Sequence, residues 1–250
     1  MSASFVGMAD YAQKVKNVFS VEKISGFLLT MHFPADNSTK MLALLQHLAE
    51  VHSDAVAYVL PDRVITYRRF WSRVERACAR LQGEWGVRQG DVVAYVGHGH
   101  PDALILYFAL LRLGASLFPL EALAPDLVQT GLISQPVSLI LHDDDMPFDT
   151  AKARPLQLLL ENWCHYEPLC VEEVSSNGRL LVRADNGHTQ SLTMDHLLSA
   201  MAPQARSLFV GEQIFSQDIL TSVIFPALHA ARELIFSATD TAGTRQRTGS

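Results

Sequence analysis

"ITYRRFWSRVERACARLQGEWGVRQGDVVAYVG", residues Ile65–Gly97, carries the pattern that decides the fold. Thr66 is a cap residue, because its hydroxyl can accept a backbone N–H from the first helical turn. After it, Phe70, Val74, Ala77, Leu81 and Trp85 recur at helical spacing, while Arg69, Arg73, Glu75, Arg76 and Arg80 fall mostly off that stripe. The spacing predicts an amphipathic helix with one buried face. The arginines read as its solvated face rather than as a phosphate surface. The two glycines of "GVRQGD" stop the helix and turn the chain into a strand, "VVAYVG".

The same alternation extends both ways. Upstream, "TKMLALLQHLAEVH" places Met41, Leu42, Leu45, Leu48 and Val51 at helical spacing, and "AVAYVL", "PDR" and "VITY" read as strand, turn and returning strand. Downstream, "HGHPD" is a loop and "ALILYFALLRLG" is apolar nearly all round, which predicts a buried helix. "ASLFPL" is a strand, "APDLVQTGLISQ" a short helix and "VSLILHD" another strand. Strands alternating with helices predict an α/β fold with a mostly parallel sheet flanked by helices.

Beyond Asp145 the pattern weakens but persists. "TAKARPLQLLLENWCHY" reads as a helix, "RLLVRA" as a strand, "TMDHLLSAMAPQ" as a helix and "SLFVG" as a strand. "SQDILTSVIFPALHAA" reads as a helix containing a proline and "ELIFSA" as a last strand. The organisation read from these segments is an N-terminal extension (1–38), a first subdomain (39–145), a linker region (146–178), a partial second subdomain (179–240) and a frayed tail (241–250).

The 250 residues are 48% hydrophobic and 18% charged, enough to bury a sizeable core. The net charge of −6 and the lack of a Lys/Arg cluster argue against a nucleic-acid partner. Cys78, Cys164 and Cys170 form neither a disulfide framework nor a CxxC pair, which fits a reducing cytoplasm. Cys78 lies on an apolar helix face. The longest apolar run contains Arg112 and is broken by Gly114 and Pro119, so no membrane span is expected.

Two segments resemble a known family. Residues 65–97 are similar to its "hT-Y-x-x-L…A-x-x-L…G-h-x-x-G-D-x-V-A" stretch, and "YFALLRLGASLFPLEAL" to its "A-x-L-A-h-x-x-A-G-A-x-x-h-P-L". In order and spacing they resemble the N-terminal part of the adenylate-forming superfamily. These are the AMP-dependent synthetases and ligases that include acyl- and aryl-CoA synthetases, peptide-synthetase adenylation domains and luciferases. The resemblance implies the N-terminal subdomains of that fold. It rests on scaffold residues, glycines for turns and apolar residues for the sheet.

The family's chemistry begins at a Ser/Thr/Gly-rich loop ending in Pro-Lys-Gly, with a Thr-His a few residues later, which embraces ATP phosphates by backbone N–H groups and hydroxyls. "LLVRADNGHTQSLTMDHLLSA", Leu180–Ala200, falls where that loop belongs. Anchored on His196, Gly187 takes the loop's last Gly. Arg183, Ala184, Asp185 and Asn186 take its small or hydroxyl positions, Thr189 and Gln190 the Pro and Lys positions, and Asp195 the Thr. Asp185 puts a carboxylate beside phosphates, and Gln190 supplies no charge. Two like charges about 4 Å apart repel by ~1–4 kcal/mol between water-like and intermediate dielectric.

By this resemblance Asp185, Asn186, Gly187, Thr189, Gln190 and His196 form a degenerate phosphate loop, and Phe225 and His229 sit near an acyl or aryl pocket. No catalytic residue is expected. The family's later segments, including its catalytic Lys, are not found before Ser250.

His98 and His100 in "GHGH" would share a face on a strand, and "HDDD" (142–145) ends a neighbouring strand, so the two loops are expected at one sheet edge. A metal site there is not expected. There is no GxSxG, and no GxGxxG follows a strand.

Two function classes remain. One is a degenerate ligase relative acting as a binding or interaction module, accessory to a synthetase, with no cofactor. The other is a component of a working ATP/Mg-dependent acyl- or aryl-acid ligase completed by a partner or by further sequence. Ile219, Val223, Phe225, Leu228, Leu234 and Phe236 exceed what the assigned elements can cover. Self-association or a protein partner through this C-terminal apolar segment is therefore expected.

Overall fold

The computed structural model describes residues 37–121, 125–143, 150–160, 178–183, 188–203, 209–210 and 213–236. The expected extension 1–38 lies almost wholly outside these residues, as do the tail and most of the linker region.

Helix α1 (Asn37–Val51) leads into the antiparallel hairpin β1 (Val56–Val59) and β2 (Val64–Thr66). Val51, expected on the apolar face of α1, is instead 59% exposed at its last turn. Thr66 caps α2 (Tyr67–Gly83), its hydroxyl accepting the Arg69 N–H. Phe70, Val74, Ala77 and Leu81 of α2 are buried as their spacing predicts. Arg80 departs from the solvated face. It is buried, paired with Glu84 at 3.0 Å and laid over the Trp85 ring. An arginine stem covers apolar surface readily, and its guanidinium stacks on indole.

Strand β3 (Val92–Gly97), α3 (Ala103–Leu113), β4 (Ser116–Glu121), α4 (Pro125–Ser134) and β5 (Leu139–His142) follow in the predicted alternation. Gly114 ends α3 in the left-handed region at φ 66°, which a Cβ would disfavour. Helix α3 is buried on nearly every residue.

The region expected as one helix from residue 150 begins instead as a short strand, β6 (Ala153–Pro155), before α5 (Leu156–Leu160). Pro155 ends that strand, and the Lys152 carbonyl accepts the Ile140 N–H. Strands β7 (Leu180–Arg183) and β8 (Thr189–Leu192) precede α6 (Met194–Ser199) and β9 (Phe209–Val210). Helix α7 (Gln217–Ile219) passes through a π-helical turn (Leu220–Ile224) into α8 (Phe225–His229), and β10 (Leu234–Phe236) completes the order.

The π turn has a local cause. Pro226 donates no N–H, and its ring crowds the carbonyl four residues earlier, so the helix widens just before it. The Phe225 N–H reaches the Leu220 carbonyl. The Thr221 and Ser222 hydroxyls donate to the Gln217 and Asp218 carbonyls.

Two sheets form. One has the order β2-β1-β10-β9, the other β6-β5-β3-β4-β7-β8. All pairings are parallel except the hairpins β1–β2 and β7–β8. Strands from residues 180–192 extend the sheet begun by β3 and β4, and β10 pairs with β1. Both sheets therefore combine segments from either side of residues 146–178.

Edge-to-face rings link the sheets through the helices between them. Phe236 of β10 meets Tyr58 of β1, which meets Phe70 of α2, which meets Phe108 of α3. Tyr107 of α3 meets Phe215, and Phe215 meets Tyr95 of β3. The opposite face of β3 and β4 packs Ala94, Val96, Phe118 and Leu120 against Val128 of α4.

The C-terminal apolar segment is covered more fully than its sequence pattern predicts. Val223, Phe225, Leu228, Leu234 and Phe236 are buried within the chain, and Ile219 is half-buried. The π turn and the central position of β10 supply the cover that the sequence pattern could not place.

Candidate functional site

The nucleotide-loop candidate has the strand and the helix that its sequence suggests, with one more strand, β8, between loop and helix, so that β7 and β8 form a hairpin. β7 and β8 are antiparallel, with Leu180 opposite Leu192, Leu181 opposite Ser191, Val182 opposite Gln190 and Arg183 opposite Thr189. The buried Leu180 and Leu192 anchor its base, and β7 is held to β4 by the Leu117 N–H on the Arg179 carbonyl at 2.9 Å. Gly178 lies so close to Ala115 and Leu111 that a Cβ would sit 3.0 Å from the Ala115 carbonyl oxygen.

Asp185, Asn186 and Gly187, between β7 and β8 in the sequence, lie outside the described residues. Thr189 is half-buried and Gln190 exposed on β8. Arg183, the cation nearest the tip on β7, donates to the Leu127 carbonyl of α4 at 3.0 Å. Thr193 caps α6 by accepting the His196 N–H at 3.2 Å, and the His196 side chain stands on the exposed face. The hairpin thus brings Thr189 and Gln190 to one edge strand, with His196 in the helix that follows it.

The pocket candidates part company. Phe225 is 0% exposed, packed in the core. His229 is half-buried, and desolvation holds its imidazole below the ordinary value.

The two loops expected at one sheet edge do meet, because β5 pairs beside β3. The Asp143 carboxylate accepts the Tyr95 hydroxyl at 3.0 Å and the His98 N–H at 2.9 Å. Tyr95 in turn accepts the His100 N–H at 2.9 Å. Among the described residues no group of three or more His, Cys, Asp or Glu side chains is placed to hold a metal ion.

A second carboxylate was missed by sequence reasoning. Asp102, at the start of α3, has a side chain only 3% exposed. It accepts the Tyr58 hydroxyl at 2.6 Å and Arg63 Nη2 at 2.8 Å, and Arg73 Nη1 lies 3.5 Å away. Burial, then the Asp102 charge, drives the Tyr58 hydroxyl far above its ordinary value. Cys78 is also buried, its thiol pushed up to about 12 by desolvation, so it is an inert core residue.

Comparison with known proteins decides the family. The family model described as "AMP-binding enzyme" matches residues 45–175, just over half of the chain. The chain belongs to the AMP-binding enzyme family. Its adenylate-forming relatives include the D-alanine--D-alanyl carrier protein ligase of Bacillus licheniformis, 24% identical, with 78% of this chain covering 42% of that protein. Among solved structures, the N-terminal subdomain of Klebsiella oxytoca NpsA, solved with 3-hydroxybenzoyl-AMSN, superposes at a TM-score of 0.63. Its identity is 19%, and the match covers 78% of this chain and 53% of that one. O-succinylbenzoate coenzyme A synthetase of Bacillus subtilis gives a TM-score of 0.62 at 15% identity, covering 78% and 45%. These likenesses show the fold of an adenylate-forming N-terminal subdomain. This AMP-binding enzyme family member spans about two fifths to half the length of the relatives named. No helix among its described residues is long and apolar enough to cross a membrane.

Proposed function

We propose that this chain is an adenylate-forming N-terminal subdomain that forms no adenylate by itself, and that it acts as a binding or interaction module accessory to a synthetase. The observation that supports this reading is the β7–β8 hairpin. On its second strand the uncharged Gln190, which by the resemblance stands where the family has a lysine, is exposed. The Arg183 guanidinium is engaged by the Leu127 carbonyl. The loop sequence adds the Asp185 carboxylate, whose repulsion from a phosphate about 4 Å away is ~1–4 kcal/mol. Ala184 has neither the hydroxyl nor the conformational freedom that close phosphate approach uses.

A thermal-shift titration with millimolar ATP and Mg²⁺ tests the reading. A ligand bound only by the native state at a hundredfold excess over Kd stabilises by about 2.7 kcal/mol, roughly 5–10 °C for a domain of this size. No shift is expected, and no ATP–pyrophosphate exchange with carboxylic acids. A saturable rise in Tm overturns the reading.

The partial span of the D-alanine ligase match supports a second reading, a component of a working ATP/Mg-dependent acid ligase. Under it, adding the remaining family segments, in the same chain or as a second one, restores exchange activity. Under the first reading it does not.

A further inference from the structure

The larger sheet reverses its winding at β3. β3 connects to β4 on one side, and β4 then connects to β5 on the other side of β3. In open α/β sheets such a switch point, at the carboxyl ends of the strands, is where ligands bind. Here the loop after β3 is built like an anion cradle. Gly99 takes a left-handed conformation at φ 78°, and the backbone N–H groups of His98 and His100 turn inward, toward Asp143 and the Tyr95 hydroxyl. The two donors this turn offers to an anion are the His98 N–H and the Tyr95 hydroxyl, the latter held in place by the His100 N–H.

The cradle is occupied by the chain itself. Asp143, the first residue after β5, places Oδ2 on the His98 N–H and both oxygens within 3.1 Å of the Tyr95 hydroxyl. Gly97 makes the approach possible, since a Cβ there would collide with Asp143 Oδ2 and sit 2.5 Å from the Tyr95 hydroxyl.

We propose that the switch-point crevice is an anion site that the chain fills with its own Asp143 carboxylate, and that a small oxyanion takes this place when the Asp143 side chain is withdrawn. The contact is a built-in plug. It keeps the position where doubly wound sheets take a ligand closed to carboxylates and phosphates.

The test compares the full chain with its Asp143→Ala variant by thermal melting in about 100 mM sodium formate, sodium chloride or formamide. Formate is expected to raise the Tm of the variant saturably, by about 2 °C or more over chloride, and to leave the parent unchanged relative to chloride. Formamide, which matches the shape without the charge, is expected to do nothing. An equal response of both proteins, or formamide matching formate, overturns the proposal.

A second readout is the Gly97→Ala substitution in each background. The added methyl meets the Tyr95 hydroxyl in both backgrounds and is expected to lower Tm in each, but by several degrees more where Asp143 is present. Additive losses overturn the proposal. If Asp143→Ala yields no folded protein, Asp143→Ser, which keeps an acceptor for the His98 N–H, carries both readouts.

Discussion

Replacing Asp102 by alanine removes the carboxylate on which three elements converge. Tyr58 on β1, Arg63 in the β1–β2 turn and Arg73 on α2 all lose their common partner. The losses are unequal. Arg63 is 41% exposed and finds water, so its share is about 1 kcal/mol or less. The Tyr58 hydroxyl is buried against α2 and becomes an unsatisfied donor, at about 1–3 kcal/mol. Arg73, with a side chain 22% exposed, becomes a mostly buried cation without its anion. Removing one partner of a buried pair costs about 3–5 kcal/mol, and that range is expected for Asp102→Ala as a whole. Arg63→Ala, which leaves Asp102 with Tyr58 and Arg73, is expected to cost about 1 kcal/mol. Urea unfolding followed by circular dichroism reads both variants as shifts in midpoint at unchanged slope. A loss at Asp102→Ala no greater than that at Arg63→Ala would refute the assignment of Asp102 as the hub.

Alkaline pH is expected to destabilise the protein through groups held neutral by burial. The hydroxyls of Tyr58, Tyr67 and Tyr107 lie far above their ordinary value of 10.0, each mainly through desolvation. Their contribution is therefore whole below about pH 10 and lost above it, at about 4 kcal/mol per pH unit for the three together. Cys78 adds to the loss from about pH 9, its thiol being pushed up to about 12. Stability by urea midpoint that stays level from about pH 9 to 11 contradicts this. Phe70→Ala breaks the ring contacts to both Tyr58 and Phe108 and is expected to cost about 3–5 kcal/mol, whereas Ile133→Ala, 83% exposed, is expected to change the same midpoint by less than about 0.5 kcal/mol. Gly114→Ala forces a Cβ into the left-handed cap of α3, and a loss of about 1–2 kcal/mol is expected from thermal or urea melts.

The amino-acid sequence alone determined the elements whose cause is local. The stripe from Phe70 to Leu81, the Thr66 cap, the stop at Gly86 and Gly90 and the apolar runs of β3, β4 and β5 depend on neighbours a few residues away. Their periods survive without knowledge of the partner. The meeting of the GHGH and HDDD loops was also legible, because parallel strands of one sheet end together. Residues 180–192 were read one strand short. Thr189, Gln190 and Ser191 carry no apolar alternation, and β8 exists because it pairs with β7 rather than because of its own composition.

Only the tertiary structure decided the Asp102 hub. Tyr58, Arg63, Arg73 and Asp102 lie on different elements, and no spacing in the chain announces a contact made by closing two sheets over α2 and α3. Likewise, six apolar residues of the last segment looked surplus, because burial depends on what lies across the core. Once the π turn before Pro226 and the place of β10 between β1 and β9 are set, five of the six are buried. Local chemistry determines which way a segment can turn, while long-range packing determines which of its side chains meet water.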